Sequence, residues 1–204
     1  FLTLMYDGRR ETFFGNQLLA LMKIADDNNL DITQIRGSWA GAMGHFQFIP
    51  TTLASYGVDG NGDGNIDIIG SVGDAMFSAA NYLNKLGWNR NERIVRAVVV
   101  PADFDASLLK GDVKKNLDQW AALGVTLPDG GALPAADMTA GLVADAAAIE
   151  AAQASSDVSD MDTDIAPRPV IKAYLTYPNF YRIKKWNNSN WYAIAVATLA
   201  DELK

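Results

Sequence analysis

The chain has 204 residues, 49% of them hydrophobic, a formal net charge of −7 and no cysteine. That length and apolar share allow one sizeable core or two modest ones. The acidic balance argues against nucleic acid, whose phosphates need a clustered basic face, and the lack of cysteine excludes a disulfide framework, a thiolate nucleophile and cysteine-ligated zinc.

No run of about twenty apolar residues occurs, and Phe1 to Tyr6 is too short for a signal peptide or a membrane span, so the chain reads as starting mid-domain or as a mature form. From Arg10 to Asn29, Phe13, Phe14, Leu18, Leu21, Met22 and Ala25 recur at helical spacing before a polar, turn-forming end, which predicts an amphipathic helix. A Gly-rich segment follows, GSWAGAMGHFQFIPTTLASYG, whose small residues imply a backbone passing close to something. Ser71 to Gly87 repeats the helical spacing through Ala75, Ala79, Tyr82, Leu83 and Leu86, with Gly87 as its stop.

Arg96 to Pro101 (RAVVVP) has the continuous β-branched run of a buried strand. Leu117 to Leu123 predicts a short helix closed by Gly124. Residues 135–169 are rich in Ala, Ser and Asp, a composition that buries little and is read as mobile, with Ala146 to Ala154 able to form a short surface helix. Val170 to Tyr177 alternates like a strand, and Ser189 to Lys204 predicts a helix with Tyr192, Ile194, Ala195, Val196 and Leu199 apolar. No internal repeat is present.

Residues 59 to 70 read DGNGDGNIDIIG. In an EF-hand the ligands fall at loop positions 1, 3, 5, 7, 9 and 12, with glycine at 6. Here those positions are Asp59, Asn61, Asp63, Asn65, Asp67 and Gly70, with Gly64 at the sixth. Gly70 supplies no bidentate carboxylate, but Asp74 lies one helical turn beyond and can swing in. The donors suit Ca2+; the competing reading is a solvated Asn/Asp/Gly turn. A lone loop of this kind fits a structural clamp better than a sensor.

The stretch Ser38 to Thr52, SWAGAMGHFQFIPTT, resembles the lytic murein transglycosylases of the membrane-bound type B family, in which S-x-A-G-A-M-G-x-x-Q-F-x-P forms part of the sugar cleft. The likeness continues upstream in YDGRRETFF (Tyr6 to Phe14) and downstream in VDGNGDGNIDIIGSVGDAMFSAANYL (Val58 to Leu83), Gly87-Trp88 and NFYRIKKWNNSNWYAIAVATLADEL (Asn179 to Leu203). It covers about residues 1–125 and 170–204 in the family's order.

The resemblance implies cleavage of the β-1,4 bond between N-acetylmuramic acid and N-acetylglucosamine without water. One glutamic acid protonates the leaving oxygen and then, as a base, helps the muramic C6 hydroxyl close a 1,6-anhydro ring. Such an acid needs an apolar pocket that keeps it protonated. Carried over by position, Ser38 touches the acid or the muramic sugar, Gln47 and Phe48 line the cleft, and Tyr82 points into it. Asn187 and Tyr192 close it, and Arg9 and Arg10 lie near the peptide or carboxylate end. Trp186 stands where the resemblance implies tyrosine; it can stack on a sugar but lacks the hydroxyl.

The family's catalytic glutamate lies in E-[ST]-x-[FY]-G upstream of the arginine pair, where this chain has only FLTLMYDG. The acid is therefore expected upstream of Phe1. Glu11, in Glu11-Thr12-Phe13-Phe14-Gly15, is the in-chain candidate, although its register relative to the arginines is wrong and a helix start favours an exposed glutamate there. Glu92, Glu150 and Glu202 are expected to be solvated, His45 to be a loop side chain without a chemical role, and Trp120 to be core.

The expected protein is mainly α (α+β). It has a lysozyme-like transglycosylase core in residues 1–96, an EF-hand-like calcium loop, a small strand-containing insertion at 97–178, and a return to the core at 179–204. Its expected role is as a monomeric peptidoglycan lytic transglycosylase of the periplasm or cell envelope with structural Ca2+, cell-envelope protein partners and no nucleic acid. The rivals are a non-catalytic peptidoglycan-binding module or truncated enzyme, and a calcium-dependent interaction domain unrelated to sugar.

Overall fold

The computed structural model describes residues 1–8, 10–156 and 169–203. Arg9 lies outside the described residues, as does the 157–168 part of the segment expected to be mobile. The chain forms two compact units, Phe1–Trp88 and Asn89–Lys204.

The first unit is helical: α1 (Leu2–Tyr6), α2 (Glu11–Asp27), α3 (Pro50–Tyr56) and α4 (Val72–Lys85). Helix α2 follows the predicted period, burying Phe14, Leu21 and Ala25 together with Ile24, but Met22 is on its exposed side. Helix α3, which the small-residue pattern around it concealed, starts with Pro50 in its first turn, where the missing N–H costs nothing. Helix α4 begins where the Ser71 hydroxyl accepts the Asp74 N–H at 3.2 Å and is closed by Gly87 at φ +82°.

The second unit is built on an antiparallel sheet of β1 (Val95–Pro101), β2 (Lys115–Asn116), β3 (Thr139–Ala144) and β4 (Val170–Thr176), in the order β1-β4-β3-β2. Strand β1 pairs with β4 from Val95 opposite Thr176 to Pro101 opposite Val170. The valine run is therefore not buried on both faces: Val98 and Val100 point inward while Ala97 is exposed and Val99 half-buried. Val99 exchanges two backbone bonds with Thr126, at 2.9 and 3.0 Å, which pairs part of the outer edge of β1.

Residues 139–144 correct the reading of 135–169 as a weakly burying stretch. Ala140, Gly141, Leu142 and Val143 are buried in β3. Gly141 must lack a side chain, because a Cβ there would collide with the Tyr181 hydroxyl and lie 2.8 Å from the Gly111 carbonyl. The core joins Val98, Val100, Leu117, Trp120, Leu142, Ile171 and Leu175. Trp120 is fully buried, and its indole N–H donates to the Ala140 carbonyl at 2.9 Å.

Short elements complete the unit: a 3-10 turn (Ala106–Leu109), α5 (Leu117–Ala122), α6 (Ala146–Ser156), α7 (Pro178–Trp186) and α8 (Asn190–Glu202). Glu150 and Glu202 are exposed, as expected, but Glu92 is not solvated. Its side chain is 14% exposed, accepts the Asn179 N–H at 2.8 Å and lies 3.4 Å from the Arg182 guanidinium. A carboxylate thus meets the first turn of α7, where the helix dipole and an unpaired N–H favour it.

Candidate functional site

Residues 37–48 fold into two successive tight turns. Gly37 bridges to Met43, and Met43 to Phe48, whose backbones exchange bonds of 2.8 and 2.9 Å. The first turn is closed by Gly41 N–H to the Ser38 carbonyl at 2.9 Å and by Ala42 N–H to the Ser38 hydroxyl at 3.1 Å. A Cβ at Gly37 would lie 2.7 Å from the Ala42 carbonyl, and one at Gly44 2.5 Å from the Ile68 carbonyl, so the small residues are required by close backbone approach.

The second turn ends at Gln47, whose φ of +55° is left-handed, a conformation that costs a non-glycine residue about 1 kcal/mol. Its side-chain Nε2 donates to the Gly44 carbonyl at 3.0 Å. Ser38, Trp39, His45 and Gln47 are exposed, Trp39 to 77%. Trp39 drew no role from its place between Ser38 and Ala40; only the geometry marks it as a ring presented by a braced turn. Phe48 is 2% exposed, so its ring supports the turn from beneath rather than presenting a face.

Tyr82, from α4, packs on that support with ring centroids 6.2 Å from Phe48 and 4.7 Å from Tyr56. Burial, and secondarily Tyr56, push its hydroxyl pKa up, which keeps it a protonated donor. Ser38, Gln47, Phe48 and Tyr82 are thus brought into one layered arrangement within the first unit.

The acidic loop is the other support of the turns. The His45 N–H donates to the carbonyl of buried Ile68 at 3.3 Å. Asp59 accepts the Gly62 and Gly64 N–H groups at 2.6 and 2.8 Å, Asn61 that of Asp63 and Asp63 that of Asn65, both at 2.9 Å. Gly62 and Gly64 take φ of +79° and +92°. Asp74 reaches the loop from the first turn of α4, where its carboxylate accepts backbone N–H groups. One of its oxygens accepts the N–H groups of Gly60 and Asn61 (3.0 and 3.2 Å), the other that of Asp67 (2.8 Å). Burial pushes its carboxyl pKa up, but these backbone bonds and the Ser71 hydroxyl outweigh burial and leave it below the ordinary aspartate range.

A Cβ at Gly70 would sit 2.5 Å from an Asp67 carboxylate oxygen, so a larger residue there would displace that side chain. Asp74, Ser78 and Asn81 form a polar stripe at helical spacing that holds the loop. Ser78 accepts the Val58 N–H at 2.9 Å and Asn81 donates to the Tyr56 carbonyl at 3.0 Å. Among the described residues, no three His, Cys, Asp or Glu side chains converge closely enough to hold a metal ion. The donor types and turns fit a hard cation, and binding one would require Asp59 and Asp63 to draw inward.

Of the remaining predicted residues, Arg10 is the left-handed N-cap of α2 (φ +54°), with its guanidinium 4.1 Å from the Phe13 ring centre. Glu11 is exposed at the first position of α2 and lacks the apolar enclosure that a proton-holding acid needs. In the second unit, Trp186, Asn187 and Tyr192 gather at the α7–α8 junction. Asn187 caps α7, its carbonyl accepts the Ser189 N–H at 2.7 Å, and the Ser189 hydroxyl accepts the Tyr192 N–H at 3.3 Å. Trp186 is half-buried, and Asn187 and Tyr192 are exposed.

The family described as Transglycosylase SLT domain matches residues 1–201. The chain belongs to that family. It is 32% identical over 190 residues to membrane-bound lytic murein transglycosylase B of Escherichia coli (strain K12), covering 92% of this chain and 45% of that one. SltB3 from Pseudomonas aeruginosa, solved with NAG-anhNAM-pentapeptide and with NAG-NAM-pentapeptide, is 40% identical, with TM-scores of 0.79 and 0.80; the match covers 98% of this chain and 48% of SltB3. Slt35 of Escherichia coli, solved with calcium, is 29% identical with a TM-score of 0.73, over 98% of this chain and 56% of Slt35. The chain spans about half the length of these relatives. These likenesses bear out the lysozyme-like, α+β transglycosylase fold.

Proposed function

We propose that this SLT-domain chain forms the glycan cleft of a peptidoglycan lytic transglycosylase, cleaving the MurNAc-β-1,4-GlcNAc bond with formation of 1,6-anhydro-MurNAc. The observation that carries the reading is Gln47: a long polar residue is held exposed in a left-handed conformation that glycine would adopt with less strain. Such strain is retained where a side chain has work to do. The relatives' substrates supply the chemistry: SltB3 was solved with glycan-pentapeptide fragments on both sides of the anhydro conversion.

In this reading the Ser38 hydroxyl and the Gln47 amide hydrogen-bond the sugars. Tyr82 remains a neutral donor beneath them, and Trp39 and Trp186 offer faces on which apolar sugar surfaces stack. Asn187 and Tyr192 add polar groups for glycan from the α7–α8 junction, and Arg9 and Arg10 attract the carboxylates of the substrate. The protein acts as a monomer on glycan strands in the periplasm or cell envelope, alongside other envelope proteins. No helix among the described residues is long and apolar enough to cross a membrane.

Calcium belongs to the same proposal. Slt35 was solved with it, and here Asp59, Asn61, Asp63, the Asn65 carbonyl, Asp67 and Asp74 would hold it. When bound, the ion supplies the positive charge that lets these carboxylates converge. Its role is structural, since the loop braces the turns through Ile68.

The exposure of Glu11 favours a second reading, a glycan-binding module without its own acid. Incubation with purified peptidoglycan, followed by mass spectrometry for 1,6-anhydromuropeptides, separates the two, with Glu11→Gln as control. Anhydro products support the first reading, and their loss in the control makes Glu11 the acid. Sacculus binding without product supports the second.

A further inference from the structure

Within the second unit a groove of about 530 Å3 is lined by Arg90, Glu92, Arg93, Arg96, Met138 and Tyr177, with smaller residues between them. In a chain of net negative charge this groove is locally basic. Glu92 is the one acidic residue lining it, and that carboxylate is already engaged by the Asn179 N–H and Arg182. Arg93 lies 3.5 Å from Asp201. Arg90 and Arg96 have no carboxylate partner among the described residues.

Arg96 is the informative member. It projects from β1 half-buried, and its Nε–H donates to the hydroxyl of Tyr177, itself 1% exposed, at 3.2 Å. No other hydrogen-bond partner holds the guanidinium among the described residues. A guanidinium fixed through Nε keeps its two terminal nitrogens for a planar, two-oxygen acceptor, and partial burial strengthens that interaction. Pro134, Ala136 and Met138 add an apolar wall suited to a methyl-sized group.

We propose that this groove binds the terminal carboxylate of a short peptide. Arg96 is the bidentate anchor, Arg90 adds a second positive charge, and the apolar wall accepts a small side chain. The glycan reading bears only on the source of the peptide, which is either a glycan-linked stem or a free peptide.

The test is a titration of the whole chain with D-alanyl-D-alanine and with its C-terminal amide, followed by calorimetry and by the arginine Nε resonances. The acid is expected to shift the Arg96 resonance and to bind at least tenfold more tightly than the amide. Arg96→Gln should weaken it tenfold or more at an unchanged melting temperature, and Arg90→Gln by a smaller factor. Equal binding of acid and amide overturns the proposal, as does acid binding that both variants leave intact; should Arg96→Gln fail to fold, Arg90→Gln and the resonance shift decide. Absence of dipeptide binding by a chain that still binds peptide-free chitooligosaccharide overturns the groove and leaves the glycan reading standing. A muropeptide bound more tightly than the dipeptide, through Arg96, assigns the glycan-linked source; equal affinity assigns the free peptide.

Discussion

The backbone N–H of His45 donates to the Ile68 carbonyl at 3.3 Å, so the turns carrying Ser38 and Gln47 are fastened to the exit of the acidic loop. Order in that loop is therefore passed to the surface proposed to bind glycan. The mechanical link runs through backbone atoms, and Gly44 permits it because a Cβ at that position would meet the same carbonyl at 2.5 Å.

Calcium is expected to raise the melting temperature and chelator to lower it. At a hundredfold excess over the dissociation constant, linkage gives about 2.7 kcal/mol of added stability. Asp63→Ala should abolish the response while leaving the metal-free protein folded. Differential scanning calorimetry with and without calcium checks this, and a melting temperature indifferent to both treatments contradicts it.

Asp74 stabilises the loop by accepting three backbone N–H groups while fully buried. Asp74→Ala leaves those donors unpaired and should cost roughly 3 kcal/mol or more, with Asp74→Asn, which has one acceptor oxygen, costing less. Its folded-state pKa is depressed. The stability it contributes is accordingly complete above the unfolded-state pKa and is lost as pH falls through the folded value. Urea midpoints measured from neutral pH down into the acid range should fall less steeply in Asp74→Asn than in the natural chain.

Gln47→Gly separates fold from function. Glycine adopts the left-handed turn freely, so the variant should be unchanged or up to about 1 kcal/mol more stable. Glycan binding should nevertheless fall at least tenfold, because the amide is gone. Thermal melts and chitooligosaccharide calorimetry on one sample decide the matter; a loss of both properties together would remove the argument from strain.

Trp120→Phe removes the indole N–H that the Ala140 carbonyl accepts and leaves a partial cavity in the second unit's core. A loss of roughly 2 to 4 kcal/mol is expected in chemical denaturation. Chitooligosaccharide affinity below the unfolding transition should be unaffected.

Periodicity made α2, α4 and α8 legible, the Gly124 stop marked α5, alanine content marked α6, and β1 and β4 stood out through β-branched residues and alternation. Strand β3 did not, because Gly141 must be small to lie against the Tyr181 hydroxyl and the Gly111 carbonyl, and a strand made small by its neighbours resembles a loop in composition. Glu92 was misread for a related reason. Its partner Asn179 lies 87 residues away, so nothing local distinguishes this carboxylate from a solvated one. The Gly-rich motif announced close backbone approach but not its object, the Ile68 carbonyl. The motif residues of the site were readable through resemblance, whereas the polar stripe Asp74, Ser78 and Asn81 carries no apolar signal, and the partners of Ser78 and Asn81 lie 20 and 25 residues away.

The most direct test of the central claim, that the braced turns at 37–48 are a glycan-binding surface, is calorimetric titration of peptide-free chitooligosaccharide into the chain and into Gln47→Ala. Saturable binding that Gln47→Ala weakens at least tenfold at an unchanged melting temperature is the predicted result. Absence of binding, or equal binding by the two proteins, would contradict the account.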